Sequence, residues 1–141
     1  MAKFSQSSMS KLSTCDVRLQ ILFNEIIKHR DCTIIIGYRD KAQQDEAFAK
    51  QRSRVSWPNS KHNSYPSKAV DVAPWPTVWP DKVADPKQRE LVWREWYMFV
   101  GLVRGVAAQL GINIRCGADW DGDYEIKDQN FHDLPHFEIK E

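Results

Sequence analysis

The chain has 141 residues, a length that suits one domain with a single hydrophobic core, and its formal net charge is +1. The balance of 20 basic and 19 acidic residues gives no reason to expect a nucleic acid as partner. The three cysteines, Cys15, Cys32 and Cys116, are widely spaced and odd in number, which excludes a disulfide framework and a paired-cysteine metal site.

The first third of the chain predicts an arm, a helix and a strand. Residues 1–11 are small and polar, so we expect a flexible N-terminal arm before a single domain that occupies residues 12–141. Between residues 16 and 30, apolar side chains recur at three- and four-residue spacing, which predicts an amphipathic helix with Ser13 as its N-cap. The run 32–37 is short, continuous and β-branched, as in a strand that is buried on both faces.

Two further elements follow before the middle of the chain. Asp40 can cap a second helix over residues 41–50. Residues 69–73 form an apolar run that predicts a second strand, with the carboxylate of Asp71 at its centre. Residues 74–80 contain three prolines and two tryptophans, a proline density that excludes a central strand or helix. This loop is either a rigid surface segment or a wall of a substrate cleft.

A long helix is predicted in the second half of the chain. Asp85 followed by Pro86 marks its start, because a capping side chain and a proline both suit a first turn. The helix runs to Leu110 and is apolar over much of its circumference, so it should be the central buried helix. Gly101 and Gly105 lie four residues apart on one side of it, where we expect close packing against the sheet.

The chain ends with two more predicted strands. Residues 112–117 alternate in polarity, and residues 135–139 form the last predicted strand after an acidic loop. The order of elements predicts an α+β fold, in which a small and mainly antiparallel sheet packs against helices, one of them long and central.

The aspartate inside the second strand points to a metal site. A carboxylate in a buried strand is costly unless it is paired or bound to a cation. Imidazole and carboxylate groups are both good ligands for zinc. One histidine, His62, lies in the polar loop before this strand, and another, His136, lies in the last strand. We therefore expect His62, Asp71 and His136 to converge on one metal ion, with Asp133 beside it as a proton carrier.

The chemistry of a zinc hydrolase suggests further residues. Zinc with three protein ligands leaves one position for water and lowers the pKa of that water toward ~7. A carboxylate must then take the proton and pass it to the leaving amine, and Asp133 is the candidate for that transfer. A positive group is needed near the carbonyl oxygen, and Arg39, just after the first strand, is the best candidate. Gln44 could add a hydrogen bond to the substrate.

Short motifs in these segments resemble a known family. Ser60-Lys61-His62, Ala69-Val70-Asp71 and Asp133-Leu134-Pro135-His136 resemble the zinc signature of peptidases related to the D-alanyl-D-alanine carboxypeptidases of the VanY type. Gly37-Tyr38-Arg39 resembles the arginine motif of that family. The branch that fits best is the phage endolysins that act as L-alanyl-D-glutamate peptidases. The segments that look like this branch are residues 57–63, 69–74 and 117–123.

The resemblance covers about residues 12–140 and implies an activity with a set of site residues. It implies a zinc metallopeptidase that cuts the L-Ala–D-Glu bond in the stem peptide of bacterial peptidoglycan. The implied zinc ligands are His62, Asp71 and His136, with Asp133 as the catalytic acid/base. Arg39, Gln44 and Ser60 are the implied substrate-binding residues. Position 133 is an aspartate, where the carboxypeptidase branch has a glutamate, and the gap between His62 and Asp71 is longer than in the most compact family pattern.

Partners and location are also implied by the resemblance. We expect a monomer whose partner is bacterial peptidoglycan, with no nucleic acid bound. Membrane insertion is not expected, because no run approaches the ~18 apolar residues that span a bilayer. The N-terminus lacks the apolar region of a secretory signal. Such an endolysin would stay in the host cytoplasm until a phage holin opens the membrane, then reach the periplasm and cell wall and lyse the host.

Two other functions and one further site stay open. The same zinc site could serve a D,D- or L,D-carboxypeptidase, or a non-catalytic wall-binding domain that keeps the fold and the metal. Asp119, Asp121 and Asp123 alternate like the first half of a calcium loop, although the twelfth position is Asn130 rather than glutamate. This segment is either an acidic solvated turn or a regulatory Ca²⁺ site.

Overall fold

The computed structural model describes residues 2–129 and 131–141. In that part of the chain, four α-helices and four strands form one α+β unit. Their bounds in chain order are α1 Gln6–Leu12, α2 Val17–Ile26, β1 Cys32–Ile36, α3 Lys41–Ala49, β2 Ala69–Pro74, α4 Pro86–Gln109, β3 Ile114–Cys116 and β4 His136–Ile139. Two short 3-10 turns lie at Lys61–Asn63 and Pro80–Lys82.

The strands form one antiparallel sheet in the order β1-β2-β4-β3. The last strand in the chain therefore lies beside the second, and Asp71 pairs directly with His136. This topology confirms the predicted α+β fold with a mainly antiparallel sheet. Pairing of β2 with β4 therefore brings Asp71 and His136, which are far apart in the sequence, next to each other.

Helices α2 and α4 cover one face of this sheet. Phe137 of β4 meets Phe23 of α2 and Phe99 of α4, with ring centroids 5.4 and 6.4 Å apart respectively. Because side chains alternate along a strand, His136 and Glu138 face the opposite side of the sheet from Phe137. The polar site is thus built on the face of the sheet turned away from the main hydrophobic core.

The first helix corrects the prediction for the N-terminus. Residues 6–12 form α1, where the sequence predicted a flexible arm, because Ser5 accepts a hydrogen bond from the backbone of Ser8 and caps the helix. The hydroxyl of Ser8 in turn accepts a bond from the backbone N–H of Ile34, at 3.0 Å. Helix α1 therefore supplies a hydrogen-bond acceptor to the outer edge of β1, an edge that no other strand of the sheet pairs with.

Two neighbouring predictions also need correction. Ser13 is the C-cap of α1, and the N-cap of α2 is Asp16, whose side chain accepts from the backbone of Arg18. Strand β1 is buried only in part, at Cys32 and Ile34, because it lies at the edge of the sheet.

Helix α4 starts as predicted, with Asp85 as N-cap and Pro86 in the first turn. In the described residues, no helix combines the length and the apolar character that crossing a membrane requires.

The expected packing of Gly101 and Gly105 is wrong, since both are exposed and a Cβ at either would meet no atom within 4 Å. The buried side of the helix is formed by large side chains instead, among them Trp96 and Phe99.

The proline- and tryptophan-rich loop packs against α4. The indole of Trp96 donates a 2.8 Å hydrogen bond to the carbonyl of Val78, and its ring lies 5.0 Å from that of Trp79. The loop leaves β2 at Pro74, which pairs with Cys32 at the end of the β1–β2 ladder away from Asp71. These contacts place the loop against α4, and its role as a wall of a substrate cleft stays a prediction.

Candidate active site

Three side chains predicted as metal ligands meet on the polar face of the sheet. His62 lies in the 3-10 turn Lys61–Asn63, Asp71 in the middle of β2, and His136 at the start of β4. Nε2 of His62 lies 3.1 Å from Oδ1 of Asp71, and Nδ1 of His136 lies 3.3 Å from the same oxygen. All three side chains are buried, and their ligand atoms lie within 4.8 Å of one another. The structure therefore brings these three residues together.

Each imidazole is held by its other nitrogen. Nδ1 of His62 lies 2.8 Å from the carbonyl oxygen of Gly37, to which it can donate a hydrogen bond. Nε2 of His136 lies 2.8 Å from Oε1 of Glu138. These outer contacts orient the rings so that Nε2 of His62 and Nδ1 of His136 both face Asp71. The sequence analysis did not single out Glu138. Its position two residues after His136 was an available signal, because residues two apart on a strand lie on the same face of the sheet.

The electrostatics of the cluster follow from burial and from opposite charges. Burial disfavours the ionised form of Asp71, but the two histidines outweigh burial and hold the pKa of Asp71 well below its usual range. Burial would also lower the pKa of His136, yet the carboxylates of Asp71 and Glu138 raise that pKa to about 9. The pocket therefore strongly favours positive charge close to the Asp71 carboxylate.

Asp133 lies close to the cluster without being one of the three converging groups. Its side chain is half-buried, and burial together with the negative charge of Asp71 raises its pKa to about 6. The positive charges of His136, His62 and Arg39 oppose that rise. Its carbonyl oxygen accepts a 3.1 Å hydrogen bond from the backbone of His136. A carboxyl group with a pKa near neutrality can both accept and donate a proton.

Arg39 and Gln44 form a connected pair at the end of β1. The guanidinium of Arg39 donates a 3.0 Å hydrogen bond to Oε1 of Gln44, which also accepts one from Asn63. The amide nitrogen of Gln44 donates to Ser53 and to the carbonyl of Val55. Since Gln44 is fully buried and bonded through both ends, it holds Arg39 in place. A direct hydrogen bond between Gln44 and a substrate stays a prediction.

Ser60 supports the turn that carries His62. Its hydroxyl oxygen accepts a 3.1 Å hydrogen bond from the backbone N–H of His62, and its own N–H donates to Asn63. The bond between the Ser60 N–H and the Asn63 side chain belongs to a capping box at the 3-10 turn. A contact between the half-buried Ser60 and a substrate stays a prediction.

Aromatic side chains that sequence reasoning did not assign to the site border it. The ring of Trp120 lies 5.3 Å from that of His136 and stacks on Phe131, with ring centroids 6.2 Å apart. The indole N–H of Trp120 donates a 3.0 Å hydrogen bond to the carbonyl of Phe131. Trp120 thus links the acidic loop to the segment that carries Asp133.

A second group of carboxylates lies in that acidic loop. Oxygen atoms of Asp119, Asp121 and Asp123 lie within 4.8 Å of one another, and only Asp119 is buried. Its Oδ2 accepts hydrogen bonds from Arg104 at 2.8 Å and from the backbone of Tyr124 at 2.7 Å. Its buried Oδ1 has no hydrogen-bond partner within residues 2–129 and 131–141. Asn130, the twelfth position of the predicted loop, lies outside the described residues.

Comparisons with known proteins are consistent with this geometry. The sequence model of the phage L-alanyl-D-glutamate peptidase family matches residues 1–140. The crystal structure of the Serratia marcescens L-Ala D-Glu endopeptidase ChiX is similar with a TM-score of 0.69 at 20% sequence identity, over 98% of this chain and 90% of that chain. At that identity the likeness establishes a shared fold. No curated protein matched the chain.

Proposed function

Because the chain belongs to the phage L-alanyl-D-glutamate peptidase family, we propose that it is a zinc-dependent endopeptidase acting on bacterial peptidoglycan. The bond cut is the amide between L-Ala and D-Glu in the stem peptide, and the domain responsible comprises residues 12–141 together with the rest of helix α1. The observation that carries the proposal is the buried convergence of His62, Asp71 and His136 next to a carboxyl group, Asp133, whose pKa lies near neutrality.

The three converging side chains fit zinc by their chemistry and by their spacing. Two nitrogen donors and one carboxylate leave one position of a tetrahedral ion open, as catalytic zinc sites require. Ligands about 2.0–2.1 Å from a tetrahedral ion lie roughly 3.3–3.4 Å from each other. The distances of 3.1 and 3.3 Å from Asp71 to the two imidazoles are close to that value.

When bound, zinc would supply an attacking water at neutral pH by lowering its pKa toward ~7. Asp133 would accept a proton from the attacking water and pass it to the amide nitrogen of D-Glu, which leaves as an amine when the C–N bond breaks. Arg39, held by Gln44, stabilises the negative charge that develops on the carbonyl oxygen. The reaction thus needs one proton carrier and one fixed cation, and both lie beside the cluster.

Digestion of purified peptidoglycan with zinc-loaded protein tests the activity. We expect mass spectrometry to find new peptides that begin with D-Glu, and the Asp133→Asn variant to form them at least about 100-fold more slowly. Release of D-Ala alone would instead establish the carboxypeptidase alternative. Binding to peptidoglycan without any cleavage would establish the non-catalytic wall-binding alternative.

The biological role that we propose is lysis of the bacterial host. The enzyme acts as a monomer on the cell wall after a holin has opened the membrane, and until then stays in the host cytoplasm. Expression in a Gram-negative host with and without a phage holin tests this order of events. We expect lysis only when both proteins are made, and equal lysis without the holin would contradict the proposal.

A divalent cation such as Ca²⁺ is the proposed occupant of the acidic loop, where it would act as a regulator. The supporting observation is the buried Oδ1 of Asp119, which lacks a hydrogen-bond partner among the described residues and lies beside Asp121 and Asp123. Calorimetric titration with CaCl₂ should give heat with the native chain and none with Asp123→Asn, while Asp128→Asn serves as control. No heat with the native chain and unchanged activity would remove this site.

A further inference from the structure

We propose that Glu138 is a positioning residue of the metal centre, which holds Nε2 of His136 so that Nδ1 faces the ion. The inference rests on the proposed zinc site, and it adds a residue that neither the motif resemblance nor the three converging ligands include.

The geometry of His136 defines what Glu138 does. Oε1 of Glu138 lies 2.8 Å from Nε2 of His136, and both side chains are buried, with 4% and 8% exposure. Nδ1 of the same ring faces Asp71, at 3.3 Å. A neutral imidazole carries a hydrogen on only one nitrogen, so donation from Nε2 to Glu138 leaves the lone pair on Nδ1. The carboxylate therefore selects the tautomer that can bind a metal from the side of Asp71.

Two cations hold the other oxygen of this carboxylate. Oε2 of Glu138 lies 3.0 Å from the guanidinium of Arg115 and 3.2 Å from Nζ of Lys61. Arg115 is the residue opposite Glu138 in the pairing of β3 with β4. The two ion pairs compensate the negative charge of the buried carboxylate. Oε1 is thereby left to face His136.

Lys61 connects this support to the other histidine. It immediately precedes His62, and its ammonium group also donates a 2.9 Å hydrogen bond to the carbonyl of Ile139. The turn that carries one proposed ligand is thus tied to the strand that carries the other. His62 itself has a neutral outer partner, the carbonyl of Gly37, so a substitution at Glu138 removes the support of one ligand only.

A purely structural role would have a different signature. In that case Glu138 would serve only to connect β3, β4 and the 3-10 turn Lys61–Asn63 through its ion pairs with Arg115 and Lys61. Its contact with His136 would then have no effect on metal binding. Arg115→Ala would then be as harmful as Glu138→Ala. If Glu138 acts on His136, Arg115→Ala should be milder, because it leaves the 2.8 Å contact with Nε2 in place.

Zinc affinity of the full chain, measured by competition with a chelator, tests the inference. We expect Glu138→Ala to weaken zinc binding by roughly 10–100-fold, the range for removal of an outer hydrogen-bond partner of a ligand. Glu138→Gln keeps an acceptor for Nε2 and should remain within about fivefold of the native affinity. Lys61 and Arg115 are partly exposed and can turn away from the new amide. Glu125→Ala, on an exposed side chain, is the control.

Imidazole nitrogen NMR of the zinc-loaded native chain gives a second measurement that needs no variant to fold. We expect a zinc-bound Nδ1 and a protonated Nε2 for His136, and the same pattern in Glu138→Gln. Zinc bound through Nε2 would overturn the inference, as would native zinc affinity in folded Glu138→Ala. A native chain that binds zinc in this way but cleaves no peptide would contradict the proposed function and leave the role of Glu138 supported.

Discussion

Gly117 lies so close to Asp133 that no side chain fits between their backbones. A Cβ at position 117 would overlap the carbonyl oxygen of Asp133 and stand 2.8 Å from its Cβ. The backbone N–H of Asp133 also donates a 2.9 Å hydrogen bond to the carbonyl of Gly117. The residue after β3 therefore determines where the proposed acid/base of the site lies.

Gly117→Ala should consequently displace Asp133. We expect kcat to fall by about 100-fold, because displacement of a catalytic group by about 1 Å has effects of this size. Zinc affinity should change much less, since Gly117 supplies no ligand. Gly101→Ala is the matched control, because open space surrounds that position on α4, and it should keep full activity and gain about 0.5–1 kcal/mol of stability. Native kcat in Gly117→Ala would show that the close approach does not matter.

Removal of the carboxylate itself separates metal binding from catalysis. Asp133→Asn should retain zinc and lose at least about 100-fold in kcat, because proton transfer by a positioned acid/base contributes about 10²–10⁴-fold. Kinetics on a muropeptide with an intact L-Ala–D-Glu bond, together with zinc analysis of the same sample, provide the measurement. Asp128→Asn, on an exposed side chain, is the control. Loss of zinc from Asp133→Asn would instead assign this residue to the ligand set.

The same substitution should stabilise the zinc-free protein at neutral pH. The folded-state pKa of Asp133 is raised from 3.8 to about 6, so folding opposes its ionisation and native stability is lost as pH rises between these values. The full shift corresponds to about 3 kcal/mol, and partial exposure should reduce the gain in Asp133→Asn to about 1–2 kcal/mol. Urea unfolding with EDTA should show this gain at pH 7 and little gain below pH ~4. An equal gain at both pH values would contradict the assigned cause.

Loss of either histidine should remove metal and metal-dependent stability together. His62→Ala and His136→Ala should bind zinc too weakly to be stabilised by it, because a ligand stabilises a protein in proportion to its binding free energy. Thermal unfolding with and without added zinc measures this difference. His29→Ala is the control, since His29 is exposed and pairs with Glu25. A zinc-induced rise in Tm that equals the native one in either variant would exclude that histidine as a ligand.

Gln44→Leu should affect Arg39, the cation that we propose to act on the carbonyl oxygen of the substrate. Arg39 and Asn63 would both lose the acceptor Oε1, and the carbonyl of Val55 would lose a donor. We expect kcat/KM to fall by about tenfold or more and stability to fall by about 1–3 kcal/mol, the cost of leaving buried polar groups unpaired. Zinc affinity should stay native. Gln109→Leu, at an exposed position, controls for the added apolar side chain.

The sequence by itself determined the features whose signals are local. Asp40 and Asp85 cap the helices that were predicted to start after them, because a capping bond joins residues only three positions apart. The run of residues 69–73 predicted β2 from its apolar character, and the cost of a carboxylate within that run led to the prediction of Asp71 as a metal ligand.

Only the tertiary structure decided which distant residues meet. The strand order β1-β2-β4-β3 and the register that places Asp71 opposite His136 join segments about half a chain apart. The hydrogen bonds of Glu138 with His136 and of Gln44 with Arg39 are likewise visible only in the structure. The need for glycine at position 117 also follows only from its close contact with Asp133. Register and packing depend on the whole set of non-local contacts, and no local spacing along the chain encodes them.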